Sequence, residues 1–408
     1  MLNSSTFGDS AVVPVVMFHS VGAENLEWVF NYISSPRDAF EKKISHLKAA
    51  GFNFIFWQEL YDYMSGRREL ALPAVMVTFD DGYLDNWTNV FPILEKYQVK
   101  ATVFVSTDFI DPSNEPRQRA SDAGKDGNVI KKPDVDGFLN FAEMRAMEKS
   151  GLVDIQSHAK SHTWYFSGNR VLSFWYPGIR QYPWMTWNAR PDRKPFYMHE
   201  NQEGLVRYGS PIYEHGKSLE VVRYLPAEEI TKEVCGYVQS RGGEGFFKED
   251  DWHEQLLAVH DTIAKQYAGG SRVETTTERC ERIRNELSES KRILECGLDK
   301  QIDFICWPGG GYEPETLEIA RSVGYKAWTL SSADQSNYRN VPGADPEQIK
   351  RIGSQTRQYW RGGIIGHTNG REFMCTVRRH QGSRFHTWYG RFLRARRIVS
   401  HYLAQGSR

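Results

Sequence analysis

Short apolar runs alternate with segments of helical spacing along most of the chain. Continuous apolar runs occur at residues 12–18, 74–79 and 101–105, and such runs are typical of strands buried on both faces of a sheet. Between the first two runs, residues 40–51 show helical spacing and end in a glycine. This alternation predicts βα units and therefore an α/β fold with a parallel sheet.

Several predicted strands end in polar residues that can carry chemistry. His19 follows the first run, Asp80 and Asp81 follow the second, and His158 follows a later strand at residues 153–156. In a βα barrel, functional groups collect on the loops at the carboxyl ends of the strands. We therefore predict an α/β barrel with its functional groups at that end.

The alternation is interrupted between residues 164 and 297. Residues 164–225 are rich in proline and tryptophan and have no clear period, which indicates loops, whereas residues 226–297 have helical spacing. The predicted helices are 228–240, 252–266 and 278–296, the last with Thr277 as its cap and Gly297 as its stop. The predicted organisation is a first part of the barrel at 10–163, an insertion covering the barrel mouth at 164–297, a last part of the barrel at 298–355, and a C-terminal extension at 356–408.

Composition is that of a globular protein with balanced charge. The chain has 51 basic and 51 acidic side chains, so no overall attraction to nucleic acid is expected. Its five cysteines are scattered without a CxxC pair, which argues against a disulfide framework and favours a reducing compartment. No run has the length of a membrane span and residues 1–14 lack the pattern of a secretory signal, so we expect a cytoplasmic location, including the inner face of the membrane.

The C-terminal extension differs from the rest of the chain in charge. It contains eleven arginines, no lysine and one acidic residue, which gives a net charge of +10. Residues 391–403 place basic and apolar residues at helical spacing. This pattern predicts either peripheral contact with an anionic membrane or docking of a solvated helix on the acidic remainder of the chain.

Two motifs carry the chemistry. Asp80 and Asp81 form a pair of carboxylates at a strand end, and His158 and His162 stand four residues apart, which predicts two imidazoles on one face of a helical turn. One aspartate with two histidines is a metal-ligand set that leaves coordination positions open. The second aspartate can then act as a general base. Either motif alone has a plainer explanation, a turn or cap for the aspartates and a solvated helix face for the histidines.

Together with residues 307–309, these motifs resemble the polysaccharide deacetylases of carbohydrate esterase family four, the NodB-homology domain. The sequences concerned are Thr78-Phe79-Asp80-Asp81-Gly82, His158-xxx-His162 and Trp307-Pro308-Gly309. The resemblance implies a distorted (β/α)7 barrel that hydrolyses the N-acetyl group of an amino sugar with a divalent metal. It also implies that Asp80 is the general base and that Asp81, His158 and His162 are the metal ligands.

The sequence departs from the family pattern in two places. Cys306 stands where the family has an arginine that orients the base, so another cation substitutes or Asp80 is tuned differently. The family's catalytic acid, a histidine, has two candidates. His19 resembles the permuted arrangement of biofilm poly-glucosamine deacetylases and is the preferred candidate, while His367 stands in the usual C-terminal place. The plainer alternative is that His19 only caps a strand.

The predicted substrate is a carbohydrate, either a poly- or oligosaccharide or a lipid-linked glycan. Trp307, Pro308, Gly309 and Tyr312, with the tryptophans of the insertion, are candidates for sugar contact, although burial in a small core explains each ring equally well. Zn²⁺ is the expected cofactor, with Ni²⁺ or Co²⁺ as alternatives. The competing hypotheses are hydrolysis of another amide or a cyclic imide, a non-haem iron oxygenase, and a glycan-binding protein without turnover.

Overall fold

The structure is a computed structural model of the 408-residue chain, and it describes residues 11–23, 25, 27–119, 134–330, 338–354, 357–360 and 363–406. The strands are β1 (Val15–Phe18), β2 (Asn53–Phe54), β3 (Ala74–Phe79), β4 (Ala101–Val105), β5 (Val153–Ser157), β6 (Trp164–Phe174), β7 (Pro211–Lys217), β8 (Tyr224–Leu225), β9 (Arg272–Val273), β10 (Phe304–Ile305), β11 (Ala327–Thr329), β12 (Gln348–Ile349), β13 (Arg351–Gly353), β14 (Arg357–Trp360) and β15 (Gly363–His367).

The helices are α1 (Arg37–Ala49), α2 (Trp57–Met64), α3 (Phe91–Tyr97), α4 (Phe141–Lys149), α5 (Pro183–Ala189), α6 (Glu228–Ser240), α7 (Trp252–Gln266), α8 (Thr276–Leu298), α9 (Pro314–Val323), α10 (Gly370–His380) and α11 (Arg384–Gly406).

The chain forms two compact units. The first comprises the chain up to His158 together with Ile293–Cys306 and the part from Tyr325 onward. The second comprises Ala159–Arg292 and Trp307–Gly324.

A parallel sheet organises the first unit. Its strands lie in the order β12-β11-β10-β5-β4-β3-β1-β13, with β2 also paired to β3, and each of these pairings is parallel. This arrangement confirms the predicted α/β class with a parallel sheet. The described strands form an open sheet with β12 and β13 at its edges, so the closed barrel stays a prediction.

Burial on both faces explains the continuous apolar runs of the central strands. All six residues of β3 and all five of β4 are buried. Aromatic side chains fill one side of the sheet: the ring of Trp57 stacks on Phe304 at 4.9 Å and meets Phe104 edge-on at 5.5 Å between ring centroids. A strand covered on both sides gains apolar burial at every position, which is why it lacks polar alternation.

The second unit contains more sheet than its sequence predicts. Residues 164–225 were expected to be loops, but β6 and β7 form an antiparallel pair, and two irregularities in register interrupt it. Most residues of β6 are half-buried or exposed, so the strand lacks a clean apolar and polar alternation. The expectation of loops was therefore wrong because the hairpin is half-solvated along its length.

The helices α6, α7 and α8 follow their predicted spacing, with corrections at the ends of α8. Helices α6 and α7 have the predicted bounds, but α8 begins at Thr276, is capped by Thr275 instead of Thr277, and runs through the predicted stop at Gly297 to Leu298. Thr275 Oγ1 accepts from the backbone N–H of Glu278 at 3.2 Å, and Glu278 Oε2 accepts from the N–H of Thr275 at 2.8 Å. This reciprocal capping box requires a glutamate three residues after the cap, which Thr275 has.

A buried carboxyl group links the segment after β1 to the segment after β3. Asp85 accepts a hydrogen bond from Ser20 Oγ at 2.5 Å and another from Asn86 Nδ2 at 2.8 Å. Burial raises the pKa of Asp85 to about 7, despite these hydrogen bonds. The folded protein therefore binds a proton at Asp85 more tightly than the unfolded chain does.

We predict that Asp85→Asn removes part of the pH dependence of stability. Because the pKa of Asp85 is raised on folding, its stabilising contribution is complete below about pH 4 and is lost as pH rises towards 7. As pH rises from 4 to 7, the free energy of unfolding of the wild type should fall by up to about 4 kcal/mol relative to that of the Asn variant. Urea denaturation from pH 4 to 8 measures this difference, with exposed Asp250→Asn as the control. Parallel stability curves for Asp85→Asn and wild type would contradict the prediction.

Candidate active site

The turn after β3 sends two neighbouring carboxylates in different directions. The N–H of Asp80 donates to Phe18 O at 3.0 Å and so continues the pairing with β1. Asp81 and Gly82 then adopt the left-handed conformation, with φ of 74° and 75°. A Cβ at position 82 would lie 3.1 Å from Val105 Cγ2, so glycine meets both the conformational and the spatial demand. A left-handed aspartate is strained, and such strain is often found at functional sites.

Asp80 is buried and in contact with three side chains of the first unit. Arg351 Nη1 donates to Asp80 Oδ1 at 2.6 Å. The other carboxylate oxygen, Oδ2, accepts from Cys306 Sγ at 3.6 Å and lies 3.7 Å from His19 Nε2. The predicted convergence of His19 and Asp80 is therefore present in the structure.

The surroundings of Asp80 keep its carboxyl group ionised. Burial alone would raise the pKa of Asp80, but the charge of Arg351, followed by those of His19 and His158, outweighs burial and lowers this pKa below its usual value. The same pairing raises the pKa of the Arg351 guanidinium, although burial opposes this. The carboxylate is thus charged at neutral pH while shielded from water.

Arg351 was not identified in the sequence. It is the first residue of β13, and the register places it opposite Val15, level with Met76 and four residues before Asp80. Only a long side chain can reach Asp80 from there. A search confined to residues that follow strands misses it, whereas a search for basic residues inside predicted strands would have found it. Of the two alternatives that Cys306 leaves open, a substitute cation or a differently tuned Asp80, the contact between Arg351 and Asp80 favours the first.

Asp81 faces a histidine whose orientation is fixed. His158 Nδ1 donates to Cys306 O at 2.8 Å, and its other nitrogen, Nε2, lies 3.1 Å from Asp81 Oδ1. With Nδ1 as the donor, a neutral imidazole turns the lone pair of Nε2 towards the carboxylate. The lone pair of His158 Nε2 and the carboxylate oxygen of Asp81 repel each other at this distance unless a cation, either a proton or a metal ion, lies between them. Metal-binding histidines are typically held through the other ring nitrogen in this way.

The three predicted ligands come together as one group. Atoms of Asp81, His158 and His162 that can bind a metal all lie within 4.8 Å of one another. Three residues join His162 to His158, so the local backbone brings the two imidazoles together. This set of one carboxylate and two imidazoles fits a divalent transition metal such as Zn²⁺.

The conformation of the histidine motif differs from the prediction. Residues 158–162 form an irregular loop instead of a helical turn, with left-handed φ of 57° at Ala159 and 40° at His162. Glu286 Oε1 on α8 accepts from the N–H of Ser161 at 2.6 Å, and Lys194 Nζ donates to Ser161 O at 2.8 Å. The helical expectation was wrong because these side chains take up the backbone groups of Ser161, which a helix would bond internally.

For His367, the second candidate for the acid, the structure describes the backbone only. His367 is the last residue of β15, but its side chain lies outside the described part of the chain. His19 is half-buried, and its backbone carbonyl accepts from Asn86 Nδ2 at 3.0 Å.

The candidates for sugar contact differ in accessibility. Trp307 and Pro308 are buried, Gly309 is exposed and left-handed with φ of 58°, and Tyr312 is half-buried beside Trp307, with 5.5 Å between the ring centroids. Of these four candidates, solvent therefore reaches Gly309 and Tyr312. In the insertion, Trp175, Trp184 and Trp187 are buried and Trp164 is half-buried, so packing accounts for most of these rings.

The chain is similar to polysaccharide deacetylases over part of its length. Residues 68–170 match the polysaccharide deacetylase family. The Bacillus subtilis (strain 168) protein YxkH, whose name assigns it provisionally to the polysaccharide deacetylases, is 30% identical over 95 residues, which are 23% of this chain and 32% of YxkH. The poly-β-1,6-N-acetyl-D-glucosamine N-deacetylase of Escherichia coli (strain K12) is 26% identical over 143 residues, 35% of this chain and 20% of that protein. The chain thus spans a third or less of these relatives.

A solved structure also resembles the chain. The deacetylase domain of BpsB from Bordetella bronchiseptica aligns with a TM-score of 0.49 at 19% sequence identity, covering 84% of this chain and 96% of that domain.

We predict that Arg351→Gln destabilises the protein by about 3–5 kcal/mol at pH 7, because it leaves the buried carboxylate of Asp80 without its cation. The double variant Asp80→Asn/Arg351→Gln should recover a large part of this loss, since no buried charge then remains. Free energies of unfolding from urea denaturation give the coupling between the two residues.

The matched control is Arg170→Gln, because Arg170 forms a surface ion pair with Glu214 at 3.3 Å. This substitution should lower the free energy of unfolding by less than about 1 kcal/mol. The prediction is contradicted if Arg351→Gln and Arg170→Gln lower the free energy of unfolding equally. It is also contradicted if the effects of Asp80→Asn and Arg351→Gln simply add in the double variant.

Proposed function

We propose that this chain, whose residues 68–170 match the polysaccharide deacetylase family, removes N-acetyl groups from the amino sugars of a polysaccharide and releases acetate. The observation that carries the proposal is the division of roles between two adjacent carboxylates. Asp81 lies against His158, in a set suited to a metal ion, while Asp80 is held charged by Arg351 beside that set. Metal-dependent amide hydrolysis needs both a ligand set with open positions and a separate base.

Asp81, His158 and His162 would hold one divalent ion, for which Zn²⁺ is the default and Ni²⁺ or Co²⁺ are alternatives. When bound, the ion would polarise the acetamide carbonyl and stabilise the charge that develops on its oxygen. The hydrogen bond from His158 Nδ1 to Cys306 O supports this role, since it orients the ring so that Nε2 is the nitrogen that would coordinate the ion.

Asp80 would act as the general base for the attacking water. Its lowered pKa keeps the carboxylate ionised at neutral pH, and Arg351 fixes the direction in which its free lone pairs point. Cys306 Sγ constrains the second oxygen from another side. Arg351 thereby takes over the positioning role of the arginine that the family motif would place at residue 306.

His19 would donate a proton to the departing amine. An amine is a poor leaving group as its anion, so hydrolysis of the amide requires an acid at this nitrogen. His19 Nε2 lies 3.7 Å from Asp80 Oδ2, and the two residues follow the neighbouring strands β1 and β3, so the proposed acid and base lie side by side.

The substrate is proposed to be a polymer of N-acetylated glucosamine. The name of the Escherichia coli relative specifies poly-β-1,6-N-acetyl-D-glucosamine, and exposed Gly309 and half-buried Tyr312 are the candidates for sugar contact that solvent reaches. A glycan-binding protein without turnover was favoured only by the missing arginine, and Arg351 removes that argument. Hydrolysis of another amide or a cyclic imide remains an outcome of the substrate test.

We predict acetate release from an N-acetylated β-1,6-glucosamine oligomer, its loss on treatment with a chelator, and its return on addition of Zn²⁺. Asp80→Asn should abolish turnover while metal analysis still finds one bound ion, because Asp80 is outside the ligand set. Asp62→Asn, at a half-buried carboxylate that pairs with Arg67 on the surface, is the matched control. Activity that survives complete metal removal, or full activity of metal-loaded Asp80→Asn, would refute the assignment.

We predict that His19→Ala lowers kcat by about 10²–10⁴ on the amide substrate, whereas His367→Ala lowers it much less. A matched aryl acetate, whose phenolate leaves without a proton, should restore most of the rate of His19→Ala. The kcat values of both variants on both substrates measure the effect. A reversed pattern would assign the acid to His367, and a loss on both substrates would make His19 structural.

A further inference from the structure

Helix α11 carries large apolar side chains that face solvent. Phe385 is 68% exposed, Trp388 70%, Phe392 59%, Val399 58% and Leu403 71%. A helix on the surface of a globular protein normally turns such residues inward and presents its polar face to water. In α11 the apolar side faces outward.

These five side chains form one continuous surface, which we call the α11 outer face. At 100° per residue their positions fall within a sector of about 60°. The rings of Phe385 and Phe392 are bridged by Tyr389, which stacks on them at 5.8 Å and 6.4 Å between ring centroids. The exposure is therefore a property of the whole helix side.

Contacts on the opposite side fix the orientation of the helix. Arg397 forms a two-pronged ion pair with Glu372 on α10, with Nε–Oε1 at 3.0 Å and Nη2–Oε2 at 2.6 Å. Gly390 faces Cys375 so closely that a Cβ there would lie 3.2 Å from Cys375 Cβ. Glu372 also caps α10 together with Asn369, so the pairing joins two elements that are themselves ordered. The outer face cannot be turned inward without breaking these contacts.

Arginines border the α11 outer face, and acidic residues are missing from the helix. Arg384 and Arg391 flank one edge and Arg396 the other, and all three are exposed. The Arg391 guanidinium lies 5.3 Å from the ring centroid of Trp388. The helix has five arginines and neither aspartate nor glutamate. A partner for this face must therefore combine an apolar interior with negative charge at the border.

We infer that the α11 outer face binds the surface of an anionic phospholipid bilayer. The aromatic and aliphatic side chains would enter the boundary between headgroups and acyl chains, and the bordering arginines would pair with phosphates. Within the described part of the chain, no helix combines the length and hydropathy that crossing a bilayer requires. The proposed binding mode is therefore a helix lying in the interface, and it does not depend on the proposed hydrolysis.

A second copy of the chain fits this face less well. Two such faces packed together would bring arginine borders of both copies close to each other with no carboxylate on either helix to compensate. Like charges across an interface are unfavourable, whereas phospholipid headgroups supply the missing negative charge.

Sedimentation of the full chain with vesicles tests the inference. The expected result is binding to vesicles of phosphatidylcholine mixed with phosphatidylglycerol, weak binding to phosphatidylcholine alone, and a decrease as salt is raised. Trp388→Ser/Phe392→Ser should lower binding about tenfold or more, and Arg391→Gln/Arg396→Gln should lower it about fivefold per arginine. Tyr32→Ser/Val273→Ser, at exposed apolar residues outside α11, is the matched control and should bind as wild type does.

Several outcomes would overturn the inference. Failure of wild type to bind the anionic vesicles would do so, as would unchanged binding by Trp388→Ser/Phe392→Ser. Loss of binding in the arginine variant alone would indicate a polyanion without an apolar surface. A dimer in analytical ultracentrifugation that Trp388→Ser/Phe392→Ser converts to a monomer would assign the face to a second copy. Because the substituted residues are exposed, unchanged circular dichroism and melting temperature confirm that each variant is folded.

Discussion

The buried ion pair between Asp80 and Arg351 joins two strands, β3 and β13, that lie on either side of β1 in the sheet. A carboxylate that is withdrawn from water pays a desolvation penalty that only a close cation can offset. Arg351 supplies that cation from inside a strand, at the level of Val15, and its side chain runs along the sheet to reach Asp80. His19, which follows the intervening strand, contacts the same carboxylate. The geometry around Asp80 thus depends on the register of three neighbouring strands.

The second constraint is the backbone between the two carboxylates. Left-handed conformations at Asp81 and Gly82 separate the environments of the two carboxylates, so that Asp80 contacts Arg351 and Asp81 contacts His158. Among the described residues, five non-glycine positions have positive φ, and Asp81, Ala159 and His162 are three of them. Strain therefore concentrates in the two motifs that bring together the candidate metal ligands. Such strain persists only where the surrounding contacts over-determine it.

The C-terminal helices are ordered by a different kind of pairing. Glu372, the one acidic residue among the eleven arginines of the extension, both caps α10 and binds Arg397 of α11. This single carboxylate explains how two helices of a strongly basic segment pack against each other. The resulting helix has its apolar side towards solvent, an orientation that neither charge nor periodicity alone indicates.

The apolar runs of β1, β3 and β4, and the polar residues that follow the first two, were readable in the sequence because burial on both faces leaves no other pattern. Asp80, Asp81, His158 and His162 were identified because adjacent carboxylates and paired imidazoles are chemically distinctive. The loop at 158–162, the half-solvated hairpin of β6 and β7, and the cap at Thr275 depended on contacts that local spacing does not encode. The contact of Arg351 with Asp80 and the outward orientation of the apolar side of α11 were decided by tertiary structure alone. The position of the charged group at the end of a long side chain depends on how the strands pair. The side that a helix turns towards solvent depends on the elements packed against it. Neither can be derived from local sequence.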